Sequence, residues 1–268
     1  MKQFIYILIF LICGIFSAIG QEKQEKIKIN STEDVDYRFA LGVQLGTDIG
    51  GAVPFPFKYI PETFNPYPKL NLSLGAKLSF PITNRWSLGA EVTYKTVTMN
   101  ADARVENQRY QDKDLIQYFS GSAEMHMDFT MLEIPVYTKY TLRNGKDRLL
   151  MGPYFVWTMK SSFVIDPKKG YIGTTGPDKV DSIMPEDMDD MNFDSSLDSW
   201  DLGILLGYER KLSTRFELGL RFSWGFKDIF KRNNQYFDYK MLHMRGTVVV
   251  SYNLFDIKPP RLLKFSKR

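Results

Sequence analysis

Two histidines, one cysteine and a crowded acidic stretch are the residues of this chain best suited to chemistry. His126 and His243 are the only imidazoles among 268 residues, so a general base of the serine-hydrolase kind has to be one of them. His126 stands in an HMD run with Asp128, ahead of the apolar residues that follow, and His243 opens another such segment. Neither sits at a recognisable Ser-His-acid spacing. A catalytic group is defined in space, so a rim hydrolase in which histidine, acid and nucleophile converge is one reading and surface-loop histidines are the other. Cys13 is the single cysteine and lies inside an apolar N-terminal run. Once that run is removed, neither thiolate chemistry nor a disulfide framework remains.

Between Asp166 and Asp198 nine acids face three lysines. Clustered carboxylates suit a hard cation such as calcium, yet the EF-hand spacing with its glycine and terminal glutamate is missing, which leaves a solvated acidic loop as the second reading. No Cys/His cluster points to zinc. The GTTG at 173–176 has no following helix on which to cradle a phosphate. No cofactor is implied. The net charge is +4 with the basic residues scattered, so a nucleic-acid partner has no electrostatic footprint.

The elements that must position these residues show a period of two. In FTMLEIPVYTKYTLRNGKDRLLMGPYFVWTMK (129–160) two apolar runs flank a turn, with Glu133, Lys139 and Lys160 interrupting them. Leu132, Ile134, Val136, Thr138 and Tyr140 alternate with Glu133, Pro135, Tyr137 and Lys139. The same alternation recurs in RFALGVQLG, KLNLSLGAKLSF, WSLGAEVTYK, WDLGILLGYER, RFELGLRFSWGF and LHMRGTVVVSYNLF, and in a mixed form, with apolar residues on both parities, in LLMGPYFVWT. Strict alternation over about ten residues is the strand template, and there are eight such segments. Short turns at 81–85, 143–147 and 211–214 alternate with long stretches at about 47–68, 98–128, 165–197 and 227–241, which read as polar, aperiodic loops.

This pattern predicts an all-β, eight-stranded antiparallel up-and-down transmembrane β-barrel with short periplasmic turns and long extracellular loops. Its partner is the lipid bilayer of the outer membrane, and an even, closed ring leaves no sheet edge in lipid. The solvents are inverted, with large apolar residues facing hydrocarbon and charges facing inward. The predicted lumen set is Lys77, Glu91, Lys95, Glu133, Lys139, Glu209, Glu217, Arg221 and Arg245. An eight-stranded interior is only wide enough for side chains, so these form either a structural ion-pair plug or a proton or ion path. Inward glycines such as Gly89, Gly152 and Gly203 make room for the long side chains. Pro135 cannot donate to the ladder, which predicts a bulge or local break. Trp86, Trp200 and Trp224 fall near strand ends, where membrane-interface rings belong.

The N-terminus MKQFIYILIFLICGIFSAIGQ has a basic start, an apolar core and small residues before Gln21, the layout of a secretory signal cleaved after Gly20. The expected organisation is a signal peptide at 1–20, a charged periplasmic lead-in at 21–36, the barrel at 37–257 and a basic periplasmic tail at 258–268.

LEIPVYTKY (132–140), GPYFVW (152–157) and WDLGILLGYE (200–209) resemble the PorT-like outer-membrane β-barrel family. The resemblance covers about residues 37–257. It implies an eight-stranded outer-membrane protein, and a founding member that acts in assembling the type IX secretion apparatus. The acidic third loop and the basic tail depart from it. Three functions compete: a non-enzymatic interaction or assembly component with candidate protein partners in the envelope, a small porin-like channel, and a rim hydrolase. A soluble lipocalin-like carrier would place its apolar face inside, opposite to the pattern here.

Overall fold

The structure, a computed structural model, describes residues 39–61, 63–69, 71–112, 115–173, 191–231 and 236–257. The expected signal peptide, lead-in and basic tail lie outside the described residues. Ten strands follow one another: β1 (Phe39–Phe55), β2 (Asn65–Pro68), β3 (Asn71–Pro81), β4 (Trp86–Asp112), β5 (Leu115–Thr141), β6 (Asp147–Gly173), β7 (Met191–Asn192), β8 (Trp200–Lys211), β9 (Phe216–Asp228) and β10 (Lys240–Ile257). Eight of them close a ring in the order β4-β3-β1-β10-β9-β8-β6-β5, completed by the β4–β5 pairing. Every neighbour is antiparallel, and the first strand pairs with the last. The two short strands β2 and β7 add to β4 and β6 outside the ring.

The predicted inversion of solvents holds along the lower half of the barrel. Leu74, Leu88, Val92, Val136, Met151, Leu206, Phe222 and Val250 are exposed on the outer wall, while charged and hydroxyl side chains are buried within. Two aromatic girdles bound this wall. At the short-turn end, Trp86 packs on Tyr140 and Phe216 on Tyr252, each with ring centroids 4.9 Å apart. At the other end Trp157 pairs in register with Trp200, and Phe155 stacks on Trp200. Along β8 the girdles are separated by the run from Trp200 to Tyr208. That is roughly 27 Å of tilted strand, matching an apolar band of about 25 Å. Among the described residues no helix is long and apolar enough to cross a membrane.

The expected loop at 98–128 is instead strand, because β4, β5 and β6 each run for 27 residues. Their alternation persists but changes phase. On β4 the inward residues Glu91, Thr93 and Lys95 are followed by Val97, Met99, Ala101 and Ala103, all buried. The outward Leu88, Val92 and Tyr94 give way to Thr96, Thr98, Asn100, Asp102 and Arg104. On β5 the inward Lys139, Tyr137 and Glu133 are likewise followed by Met131, Phe129 and Met127. Below the switch the strands are surrounded by hydrocarbon and enclose polar groups. Above it they are surrounded by water and must enclose an apolar core.

On β6 the rephasing is helped by a register shift opposite Thr130/Met131, which swings Phe163 inward. Pro135 does not shift the register. The β4–β5 ladder skips Ile134 and Pro135 and resumes in phase, the local break its missing N–H requires.

The described residues that follow β7 and β9 pack together at the end of the barrel opposite the short turns. Phe163, Phe193, Phe230 and Met241 are buried together, with Tyr236 and Phe237 packed against them. Phe163 and Phe193 stack at 5.3 Å, and Phe193 meets Tyr236 edge-on at 4.9 Å. Leu197, which falls in the expected third loop, is buried in this cap and bridges to Phe230.

Candidate functional site

All nine residues of the predicted lumen set are buried, none more than 8 % exposed. They occupy three levels. Nearest the short turns, Lys77, Lys139 and Arg148 surround Glu209 and Glu217. Lys139 Nζ donates to Glu209 Oε1 at 3.2 Å, and Arg148 Nη1 spans both carboxylates at 3.0 and 2.7 Å. Lys77 donates to Glu217 and stands 3.7 Å from Glu209. Such clustering follows from parity: residues on facing strands of one narrow barrel that share the inward phase have nowhere else to point.

The middle level is built around Glu91. It accepts from Arg221, from the Tyr137 hydroxyl and, at 2.8 Å, from Gln44 Nε2. The Tyr137 ring lies against Gly89, and a Cβ there would strike it. In the same way Tyr154 covers Gly203. These two glycines are needed because rings as large as tyrosine cannot share the lumen with another side chain at that height.

The upper level joins Asp48, Lys95, Glu133 and Arg245. Lys95 Nζ sits 3.0 Å from both Asp48 and Glu133, and Arg245 Nη2 donates to Glu133 at 2.6 Å. Thr247 Oγ1 donates to Asp48 at 2.6 Å. Arg245 also lies over the Tyr154 ring, whose hydroxyl donates to Asp201 at 3.2 Å. Immediately above stand Val97, Met99, Met127, Phe129 and Met131, where the apolar core begins.

Three charged members are missing from the sequence-derived set: Asp48, Arg148 and Asp201. Asp48 shares the parity of Gln44 and was hidden because residues 47–68 read as a loop, while β1 continues to Phe55. Arg148 falls just before the segment LLMGPYFVWT, while β6 begins at Asp147. Asp201 shares the inward parity of Glu209 in WDLGILLGYER but stands at the end of that segment beside the expected third loop. With them the described lumen holds six acids (Asp48, Glu91, Glu133, Asp201, Glu209, Glu217) and six bases (Lys77, Lys95, Lys139, Arg148, Arg221, Arg245).

The histidines part company. His126 lies on the outward face of β5, 3.6 Å from Glu124. His243 is not a loop residue: it is buried on β10, edge-on to Phe129 at 4.8 Å, with Nδ1 lacking a hydrogen-bond partner. One imidazole faces out and the other in, so the two do not converge. Asp128 is engaged by Thr98 Oγ1 at 2.6 Å rather than by His126. Most of the acidic stretch, 174–190, lies outside the described residues. Among the described residues, Glu124, His126 and Asp166 could present ligand atoms to one cation. The Lys168 ammonium already pairs with both carboxylates.

A closed antiparallel ring, apolar outside and charged inside, is the architecture of a bilayer-spanning barrel, and a family model described as "Outer membrane protein beta-barrel domain" matches residues 21–231. The chain belongs to that family. As a member of the outer membrane protein β-barrel domain family it resides in the outer membrane, with the girdles at the two lipid interfaces. The outer-membrane barrel is similar to Neisserial surface protein A, at 11 % identity over 80 % of this chain and 97 % of that one, with a TM-score of 0.37. It is also similar to Ail, the attachment invasion locus protein of Yersinia pestis, at 9 % identity over 80 % and 97 %, TM-score 0.36. OprG from Pseudomonas aeruginosa is similar at 10 % identity over 81 % and 95 %, TM-score 0.35. The comparison with curated proteins gives no match.

Proposed function

We propose that this outer-membrane barrel is a non-enzymatic, non-conducting interaction component of the envelope. One observation carries the reading. The lumen is filled at three successive levels by salt-bridged side chains and is overlain by an apolar, aromatic cap. A pore would need either more strands or emptier walls. Three strands also continue past the lipid and offer an extracellular sheet, β2-β4-β5-β6-β7, as a surface for partners. The resemblance to the PorT-like family makes the type IX secretion apparatus the first candidate partner. In the same reading, residues 1–20 are a signal peptide cleaved before Gln21, and residues 21–36 and 258–268 face the periplasm.

The experiment has two arms. Purified protein in planar bilayers should give no steady current, and affinity capture from solubilised outer membranes should recover defined envelope proteins. Capture should be lost when the hairpin above Thr98 and Asp128 is shortened. Reproducible ion-selective single-channel currents would overturn the plug and favour the porin-like reading. Capture unchanged by the shortened hairpin would remove the extracellular sheet from the role.

A further inference from the structure

The short-turn end of the barrel opens into a cavity of about 760 Å³. By the rule that outer-membrane barrels keep their short turns in the periplasm, this mouth faces that compartment. Its wall carries Lys77, Arg85, Lys139, Arg148, Lys211 and Arg215, and Glu217 is the one acidic residue of its described lining. Glu209 lies just behind, so six bases meet two carboxylates. At the buried floor the imbalance is tighter. Lys77, Lys139 and Arg148 share Glu209 and Glu217 between them. The nearby Asp147 is engaged elsewhere, accepting from the Tyr208 hydroxyl at 2.6 Å and lying 3.8 Å from Arg210.

We propose that this periplasmic mouth is a binding site for a small oxyanion of the phosphate class. Three cations around two carboxylates leave one positive charge uncompensated in a place largely withdrawn from water, which costs free energy until an anion enters. Ammonium and guanidinium donors converging from β3, β5 and β6 suit an acceptor with several oxygens, which can take charge-assisted hydrogen bonds from each. Arg85 and Lys211 at the rim have no ion-pair partner among the described residues and supply a field that draws anions inward. Arg215 is held over Tyr252, donating to its hydroxyl at 2.9 Å, and so is fixed in place at the rim.

The test uses the full chain refolded in detergent micelles, with thermal unfolding followed as sodium phosphate is raised and chloride adjusted to hold ionic strength constant. A ligand that binds only the folded state raises the midpoint in a saturable way. Phosphate should do so and chloride should not. Lys139→Gln leaves two bases and two carboxylates at the floor, so it should fold, and it should weaken the phosphate response at least about tenfold by removing a charged donor. Should that variant misfold, the rim double substitution Arg85→Gln/Lys211→Gln reads the same site without touching the packed floor. Lys227→Gln at the opposite end should respond as the wild type does. An equal rise with chloride would overturn the site, as would a wild-type phosphate response in both the floor and rim variants.

Discussion

Replacing Glu133 by glutamine tests whether the upper lumen level is a true ion-pair plug. The substitution keeps the volume and removes the charge. Arg245 then loses the one carboxylate within ion-pair distance of it, the oxygen 2.6 Å from its Nη2, and keeps only its place over Tyr154 and against Met131. Lys95 is partly spared, because Asp48 remains 3.0 Å from its Nζ. Stranding a fully buried cation costs about 3–5 kcal/mol, and the intact Lys95–Asp48 pair argues for the lower end of that range. Urea unfolding of the protein refolded in phospholipid vesicles, followed by the fluorescence of its four tryptophans, reads this directly. Glu133→Gln/Arg245→Met removes the stranded charge and should recover more than half of the loss, a non-additivity characteristic of direct partners. A Glu133→Gln protein within about 1 kcal/mol of wild type, the cost of losing an exposed pair, would refute the reasoning.

Ile204→Arg, midway between the girdles, should destabilise the inserted barrel by about 2–4 kcal/mol, while Leu72→Arg beside Thr96 at the upper margin should cost about 0–1 kcal/mol. Phe57→Arg, in the 3-10 turn after β1, should be tolerated, and equal effects of all three on membrane insertion would show that no hydrocarbon surrounds the strands. Gly89→Ala should cost about 1–3 kcal/mol by overpacking, because the new Cβ displaces Tyr137 and its hydrogen bond to Glu91. Thermal unfolding checks this, and an unchanged midpoint would mean the ring is free to move aside. N-terminal sequencing of the protein from outer-membrane fractions should begin at Gln21, and an intact Met1 would remove the signal-peptide reading.

The barrel was legible because lipid outside and charge inside give each strand an alternation of strong contrast. Glu133 and Lys139 beside Ile134 and Val136 could not be read as either a soluble core or a soluble surface. The upper strands were not legible for a related reason. Val97, Met99, Ala101 and Ala103 do alternate with polar residues, but in the phase opposite to Leu88 and Val92. A reader following one phase sees the pattern dissolve rather than invert. The cap was hidden as well, since Phe193, Leu197 and Phe230 are isolated apolar residues in polar surroundings and only their convergence gives them a core. His243 reads as a rim residue because it stands at the very start of the segment LHMRGTVVVSYNLF, whereas β10 begins at Lys240 and His243 shares the inward parity of Arg245.

The change of phase between Tyr94 and Thr96 fixes how deep the molecule floats. If the barrel sank toward the periplasm by two residues per strand, Thr96, Thr98 and Asp128 would enter hydrocarbon. If it rose by the same amount, Trp157 and Trp200 would leave the interface they prefer. Both displacements are penalised on several strands at once, so immersion is pinned from above and below. The strand from Thr98 to Asp112, about 50 Å of extended chain, is therefore a mast of constant height. Whatever meets its upper reaches meets them at a set distance from the lipid headgroups.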